Sequence, residues 1–242
     1  MTVASPSIAV VIPAYHEERL LPQTLSGMPA FVDHVIVVDD GSGDATFEVA
    51  QSMAAKDPRV HVIRLAFNQG VGLAIVRGYQ RALDLGADVV AVMAADNQMD
   101  PRELWQVLEP VLADRADYAK GNRLVHRDIQ NMPVMRKWGT HMLARITGAL
   151  AGYADLDDAQ CGYTAISRRM LERLPLDSMY PRYGYPNDMI LRLGEQGARL
   201  EQPTVTPVYA DEVSGFRVHQ VVVPISGILL RGAWRKVSGR VS

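Results

Sequence analysis

The sequence has little to hold it together covalently or to carry it across a bilayer. One cysteine, Cys161, occurs in 242 residues, so an intrachain disulfide framework is excluded and a reducing, cytoplasmic setting is expected. No stretch reaches the roughly 18 apolar residues that a membrane span needs, so any bilayer contact is expected to be peripheral, on the cytoplasmic face. The opening residues, MTVASPSIAVVIPAYHEE, have no basic leader. Their apolar run is broken by Pro13 and followed by Glu17 and Glu18, which argues against a signal peptide. Charge of neither sign dominates: the formal net charge is −2, which leaves no global footprint for nucleic-acid binding.

What is present fits an ordinary globular chain. Hydrophobic residues make up 48% and charged residues 21%, enough for a real core. The length allows one large α/β domain or two small ones. No internal repeat, low-complexity segment or break in composition divides the chain, so a single domain is the simplest expectation.

Four short apolar runs each lead into a polar or glycine-rich loop and then a helical pattern. The runs are Ser7–Ile12, His34–Val38, Val60–Leu65 and Asp88–Ala94. The segments after them, Arg19–Ser26, Asp44–Lys56, Leu73–Leu85 and Pro101–Leu112, read as helices, with Asp44 as an N-cap and Gly86 as a C-cap. Strand–helix alternation with continuous apolar strands predicts a parallel sheet covered on both faces. The second half is less regular. Ala116–Gly121, Gly162–Ser167 and Pro203–Tyr209 read as strands, and Arg168–Leu174 and Asn187–Glu195 as helices. Met132–Leu150 and Val218–Val237 are long apolar stretches interrupted by Arg136, Lys137, Arg145, Arg231, Arg235 and Lys236.

The stretch Asp88–Pro101, DVVAVMAADNQMDP, carries the chemistry. Asp96, Asn97, Gln98 and Asp100 follow a buried strand, and open α/β sheets place ligands at the carboxyl ends of their strands. Carboxylate and amide oxygens suit a hard divalent cation, Mg2+ or Mn2+, that bridges to phosphate. The plainer alternative is a polar loop that caps a helix. The glycines of Gly70–Gly78 do not fit the dinucleotide fingerprint, because they follow the third strand and lack the acidic ribose partner. They are expected to allow close helix packing instead.

Four segments recur in one order: VVIPAYHEE at Val10–Glu18, VIVVDDGSGDAT at Val35–Thr46, NQGVGLAIVRGYQRA at Asn68–Ala82 and ADVVAVMAADNQMDP at Ala87–Pro101. This order resembles the inverting family 2 glycosyltransferases of GT-A fold. Within them it looks most like the dolichol-phosphate mannosyltransferase branch, which transfers sugar from a nucleotide-sugar to a polyprenyl phosphate. KGNRL at Lys120–Leu124 and DAQCGYTAISR at Asp158–Arg168 are similar to that branch too. The resemblance implies an α/β GT-A domain over residues 1–242, with a mainly parallel central sheet flanked by helices. Residues 1–115 would form its nucleotide-binding half and residues 116–242 its acceptor-binding half.

It also implies site residues. Pro13, Ala14, Tyr15 and Glu17 would line the nucleotide pocket together with Val38, Asp39, Asp40, Gly70, Ala94, Ala95 and Asp96. Tyr15 offers a flat face to a base, and one of Asp39 and Asp40 accepts from a base N–H while the other orients its neighbours. Arg123 and Arg217 would meet the diphosphate; solvated surface is the plainer alternative for each. The family's metal motif is Asp-x-Asp followed by Gln. Here Ala94 replaces the first Asp, which leaves Asp96 and Gln98 as ligands and predicts weaker metal affinity or altered sugar contacts. Catalytic roles fall to Asp96 and Arg123, with Asp158 and Asp188 as carboxylates near the acceptor. A hydroxyl acceptor needs such a base, whereas a phosphate acceptor is already an anion.

The donor is expected to be a GDP- or UDP-hexose, and the acceptor a lipid phosphate or a soluble small molecule. Residues 132–150 and 218–237 are expected either as interfacial helices at a membrane surface or as helices packed on the domain or in a homodimer. A different class stays open: a non-catalytic relative that keeps the nucleotide pocket, which Ala94 favours.

Overall fold

The computed structural model describes residues 5–124, 134–206 and 218–238. Its centre is a seven-stranded sheet: β1 (Ile8–Ala14), β2 (His34–Asp39), β3 (Val60–Arg64), β4 (Val89–Val92), β5 (Tyr118–Lys120), β6 (Thr164–Ser167) and β7 (Leu200–Glu201). The spatial order is β3-β2-β1-β4-β6-β5-β7. Strands β1 to β4 pair in parallel, with Val10 of β1 opposite Val35 on one side and Ala91 on the other. β6 runs antiparallel to both β4 and β5, and β7 pairs with β5 in parallel. The mainly parallel sheet expected from the apolar runs is therefore present, with one reversed strand joining the two halves of the chain.

Eight α-helices occur among the described residues: α1 (Leu21–Ser26), α2 (Thr46–Ala54), α3 (Val71–Asp84), α4 (Leu104–Leu112), α5 (Val134–Ala151), α6 (Arg168–Leu171), α7 (Tyr185–Glu195) and α8 (Val218–Val237). Alternation along each strand sorts the apolar runs onto two faces. Ile8, Val10, Ile12, Val35 and Val37 pack with Leu104, Val107 and Leu108 of α4 on one face. Ala9, Val11, Ile36 and Val38 pack with Ala74, Ile75 and Tyr79 of α3 on the other. A smaller cluster of Ala144, Leu156, Ala159 and Ile190 lies between α5 and α7. Gly78 explains how closely α3 approaches: a Cβ there would stand 2.2 Å from Val11 Cγ1.

The turns differ from expectation in instructive ways. Asp44 does not cap α2 formally; its Oδ1 accepts from both N (3.1 Å) and Oγ1 (2.6 Å) of Thr46, shaping the turn just before the helix. Pro101–Glu103 is a 3₁₀ turn rather than the start of α4, and Asp100 caps it through Arg102 N at 2.8 Å. The described part of the expected strand Pro203–Tyr209, residues 203–206, is not a continuous strand: pairing falls on Leu200–Glu201, and Thr204 adds a lone bridge to Asn122. Residues 207–209 lie outside the described residues. Gly86, directly after α3, has φ +81°, as a glycine that ends a helix should.

Candidate active site

The chain runs from β1 outward to β2 and β3, then returns to β4 on the other side of β1. A crevice opens at such a switch point, beyond the carboxyl ends of the strands. A cleft of about 460 Å3 lies there. Pro13, Ala14, Tyr15 and Glu17 enter it from the end of β1, and Ala94, Ala95 and Asp96 from the end of β4. Asp40 after β2, and Asn68, Gly70, Val71 and Ala74 around the start of α3, complete one wall; Arg182 and Tyr183 complete another.

The β1 loop is held in an unusual shape. His16 has φ +59°. Its N–H donates to Ser42 Oγ at 3.1 Å, its Nε2 accepts from Gly43 N at 3.1 Å, and its ring stacks on Tyr15 with centroids 4.1 Å apart. Glu17 N donates to Thr46 Oγ1 at 2.8 Å. The loops after β1 and β2 therefore form one hydrogen-bonded unit, which presents the half-exposed Tyr15 ring to the cleft.

The two adjacent acids divide their work. Asp40 is buried, and its Oδ1 and Oδ2 accept from the N–H groups of Gln69 and Gly70, each at 2.8 Å. It ties the loop after β2 to the start of α3. Gly70 has φ +104°, and a Cβ there would meet Pro181 O at 2.5 Å, so only glycine fits. Asp39 is fully buried; Oδ1 accepts from Ser42 N at 3.0 Å, while Oδ2 has no hydrogen bond and lies 3.4 Å from Arg64 Nε. Val38 is buried beneath them in the core.

At the end of β4, Asn97 takes φ +62°, and Asp96 Oδ1 accepts from Gln98 N at 3.0 Å. Thr24 Oγ1 donates to Ala95 O at 3.1 Å, and Ala94 N donates to Met99 Sδ at 3.2 Å. The turn thus presents the Asp96 side chain to the cleft, with Ala94 where a second carboxylate would stand. Gln98 does not line the cleft. Among the described residues, no three His, Cys, Asp or Glu side chains group to hold a metal ion. One carboxylate and one amide on a tight turn are a hard oxygen donor pair that fits Mg2+ or Mn2+ once phosphate oxygens and water complete the shell.

The model of the family described as "Glycosyl transferase family 2" matches residues 9–174, the span that contains every strand of this cleft. The chain belongs to that family. An undecaprenyl-phosphate mannosyltransferase of Micrococcus luteus is 32% identical over 245 residues, covering 97% of this chain and 98% of its own. A UDP-N-acetylglucosamine–dolichyl-phosphate N-acetylglucosaminyltransferase of Methanococcus voltae is 27% identical, covering 86% and 88% of the two chains. Among solved structures, a glucosyl-3-phosphoglycerate synthase of Mycobacterium tuberculosis, crystallised with Mn2+, UDP and glucosyl-3-phosphoglycerate, superposes with a TM-score of 0.72. It covers 94% of this chain and 80% of that one, at 19% identity, a likeness of fold. The fold is GT-A, and the chain is a hexosyltransferase by family.

Other predicted residues of this glycosyltransferase lie away from the cleft. Arg123 Nε donates to Asp158 Oδ2 at 2.8 Å, and Asp158 Oδ1 also accepts from Gln160 N and Cys161 N, each at 3.0 Å. Burial pushes the Asp158 carboxyl up, but the guanidinium of Arg123, the nearby Lys120 and the Gln160 N–H more than offset it and hold it below the ordinary range. Lys120 is itself buried, with its Nζ donating to Cys161 O; burial lowers its pKa. Cys161 is buried and its thiol is pushed up by burial, the state of an inert packing residue.

Asp188 is buried in α7, where Oδ2 accepts from Tyr180 N at 2.9 Å and Oδ1 faces Arg192 at 3.5 Å and Arg235 at 3.8 Å. Neither Asp158 nor Asp188 is among the cleft-lining residues. Arg217 lies outside the described residues. Sequence reasoning missed Asn68, Val71, Ala74, Arg182 and Tyr183. The last two sit in the aromatic, proline-containing segment before α7, whose composition is the one trace they leave in the sequence.

Proposed function

We propose that this glycosyltransferase moves a hexose from a GDP- or UDP-hexose to a polyprenyl phosphate at a membrane surface, with inversion. The observation that carries the reading is the convergence of the predicted loops on one cleft, in a chain 32% identical, along nearly its whole length, to an enzyme named for an undecaprenyl-phosphate acceptor. Tyr15 takes the base, Glu17 accepts from ribose or base donors, Asp39 holds the loop after β2 through Ser42 N, and Asp40 with Gly70 shapes the cleft beside them. Asp96, with Gln98 on the same turn just outside the cleft lining, would hold Mg2+ or Mn2+. When bound, the cation offsets charge that builds on the departing group. Arg217 is assigned to the phosphates; Arg123, paired with Asp158 and not among the cleft-lining residues, would reach them only by exchanging that partner.

In the step itself, an oxygen of the acceptor phosphate attacks the anomeric carbon. The bond from that carbon to the diphosphate oxygen breaks, and its electron pair leaves with the nucleoside diphosphate. The acceptor oxygen is already anionic, so no proton has to be removed. That agrees with Asp158 and Asp188 being committed to ion pairs outside the cleft.

The helices α5 and α8 support a membrane seat. Met142 and Ile146 on α5, and Leu230 (71% exposed) and Trp234 (60%) on α8, are exposed one helical turn apart. Arg145 and Arg231 are exposed beside them. Apolar side chains flanked by arginines suit an interfacial helix on anionic headgroups, here on the cytoplasmic leaflet; a homodimer contact is the competing use of the same faces. Among the described residues, no helix is long and apolar enough to cross a membrane.

The test pairs a panel of GDP- and UDP-hexoses with undecaprenyl phosphate and with soluble phosphates, with and without a chelator, beside liposome flotation. Lipid-linked product is expected. Product on soluble acceptors alone overturns the lipid acceptor, and nucleotide binding without turnover on any donor leaves a non-catalytic binder.

A further inference from the structure

Arg182 is the one basic residue among the described residues that line the cleft, where Glu17, Asp40 and Asp96 supply the acids. Its stem packs against Gly70: a Cβ on Gly70 would come within 2.7 Å of Arg182 Cγ. The backbone around it is anchored from three sides. Pro181 O accepts from Leu73 N at 3.1 Å, Arg182 O accepts from Tyr185 N at 2.8 Å, and Tyr180 N donates to Asp188. Gly70 beneath it is fixed by Asp40. The guanidinium, by contrast, is exposed and has no hydrogen bond or ion pair with any described residue. Arg123, Arg192, Arg199 and Arg235 are each paired with carboxylates.

We infer that Arg182 is a phosphate-binding, specificity-determining residue, whose guanidinium takes oxygens of the donor's diphosphate from the Gly70 wall of the cleft. The inference rests on the nucleotide-sugar reading above. A diphosphate entering beside Glu17 and Asp96 meets like charge, which a cation carried on an anchored backbone segment offsets. Asp40 adds less repulsion, since two backbone N–H groups already neutralise it in part. With Ala94 in the place of a carboxylate, the protein offers a cation fewer ligands, and a permanent charge that needs no loading gains weight. Arginine also grips phosphate with two parallel N–H groups, as lysine does not.

The test is a binding ladder by titration calorimetry on the full chain: nucleoside, nucleoside monophosphate and nucleoside diphosphate in the guanine and uracil series, each in EDTA and in Mg2+. Arg182→Gln is expected to bind nucleoside within twofold of wild type but the diphosphate at least tenfold more weakly in EDTA. The loss is expected to be smaller in Mg2+, and Arg182→Lys to recover part of it. An equal loss on nucleoside and diphosphate would mark a structural role and overturn the inference. Unchanged diphosphate binding with a raised KM for polyprenyl phosphate would assign the residue to the acceptor phosphate and overturn the donor assignment. Wild-type protein that binds none of the ladder takes down the nucleotide-sugar reading and this inference together. A wild type that binds, beside an unaltered Arg182→Gln, removes this inference alone.

Discussion

Asp40→Ala removes an acid that holds two backbone N–H groups of another loop. Both bonds are 2.8 Å long and the carboxylate is 3% exposed, so solvent does little to share the load. A hydrogen bond to a charged group contributes about 1.5–3 kcal/mol net, so losing two costs about 3–6 kcal/mol. Against a typical domain stability of about 5–15 kcal/mol that is a large fraction. Asp40→Asn keeps one acceptor oxygen but turns an NH2 toward the other N–H, so its cost is about half, ~2–3 kcal/mol. Urea unfolding followed by circular dichroism, with slopes compared between variants, measures both. The expected ranking is wild type, then Asn, then Ala, with nucleotide affinity of the folded protein falling in the same order because Gly70 is no longer placed. An Asp40→Ala protein within about 1 kcal/mol of wild type at unchanged slope would show that the carboxylate does not hold the loop.

Three other outcomes are expected. Ala94→Asp restores the missing carboxylate and should lower the divalent-cation concentration for half-maximal transfer by about tenfold, a shift of ~1.4 kcal/mol; an unchanged metal titration would place the cation elsewhere. Gly78→Ala drives a methyl into Val11 and should destabilise by about 1–3 kcal/mol, with Val11→Ala in the same chain restoring much of the lost Tm. Acid should weaken the fold through Asp158: its folded pKa lies below the unfolded value near 3.8, so its stabilisation is present above that value and is lost as pH falls through the folded one. Stability measured between pH 6 and pH 3 should therefore decline less steeply in Asp158→Asn, whose baseline is lower.

The first half of the fold was legible because β1, β2 and β4 are buried on both faces and read as unbroken apolar runs. Each ends in a loop whose polar residues have nowhere to go but the carboxyl edge of the sheet. Tyr15, Ala94, Ala95 and Asp96 were legible for that reason. The insertion of β6 between β4 and β5 was not, since strand order depends on pairings some 75 residues apart that leave no local pattern. The role of Asp40 was half visible: an acid after a strand is a plain signal, but its partners are backbone N–H groups 29 and 30 residues on, which carry no side-chain signature. Arg182 and Tyr183 were invisible for a related reason. They lie on an exposed segment brought to the cleft by packing against Gly70 and Gly72, and exposure at a loop has no periodicity. Asp158 and Asp188 were picked out by their match to acidic positions of the family; their ion pairs with Arg123 and Arg192 depend on residues distant in sequence or on burial and leave no motif of their own.

The reversed strand β6 has a consequence for anyone who would cut this protein in two. It is hydrogen-bonded to β4 on one side and β5 on the other, so the chain before residue 115 and the chain after it share a single lattice. A fragment ending there would leave Val89–Val92, every residue buried, as an open apolar sheet edge. Such an edge recruits other strands, so residues 1–115 expressed alone should sediment as aggregate rather than fold. The cleft likewise draws on both sides of that cut, with Arg182 and Tyr183 beside Tyr15 and Asp96.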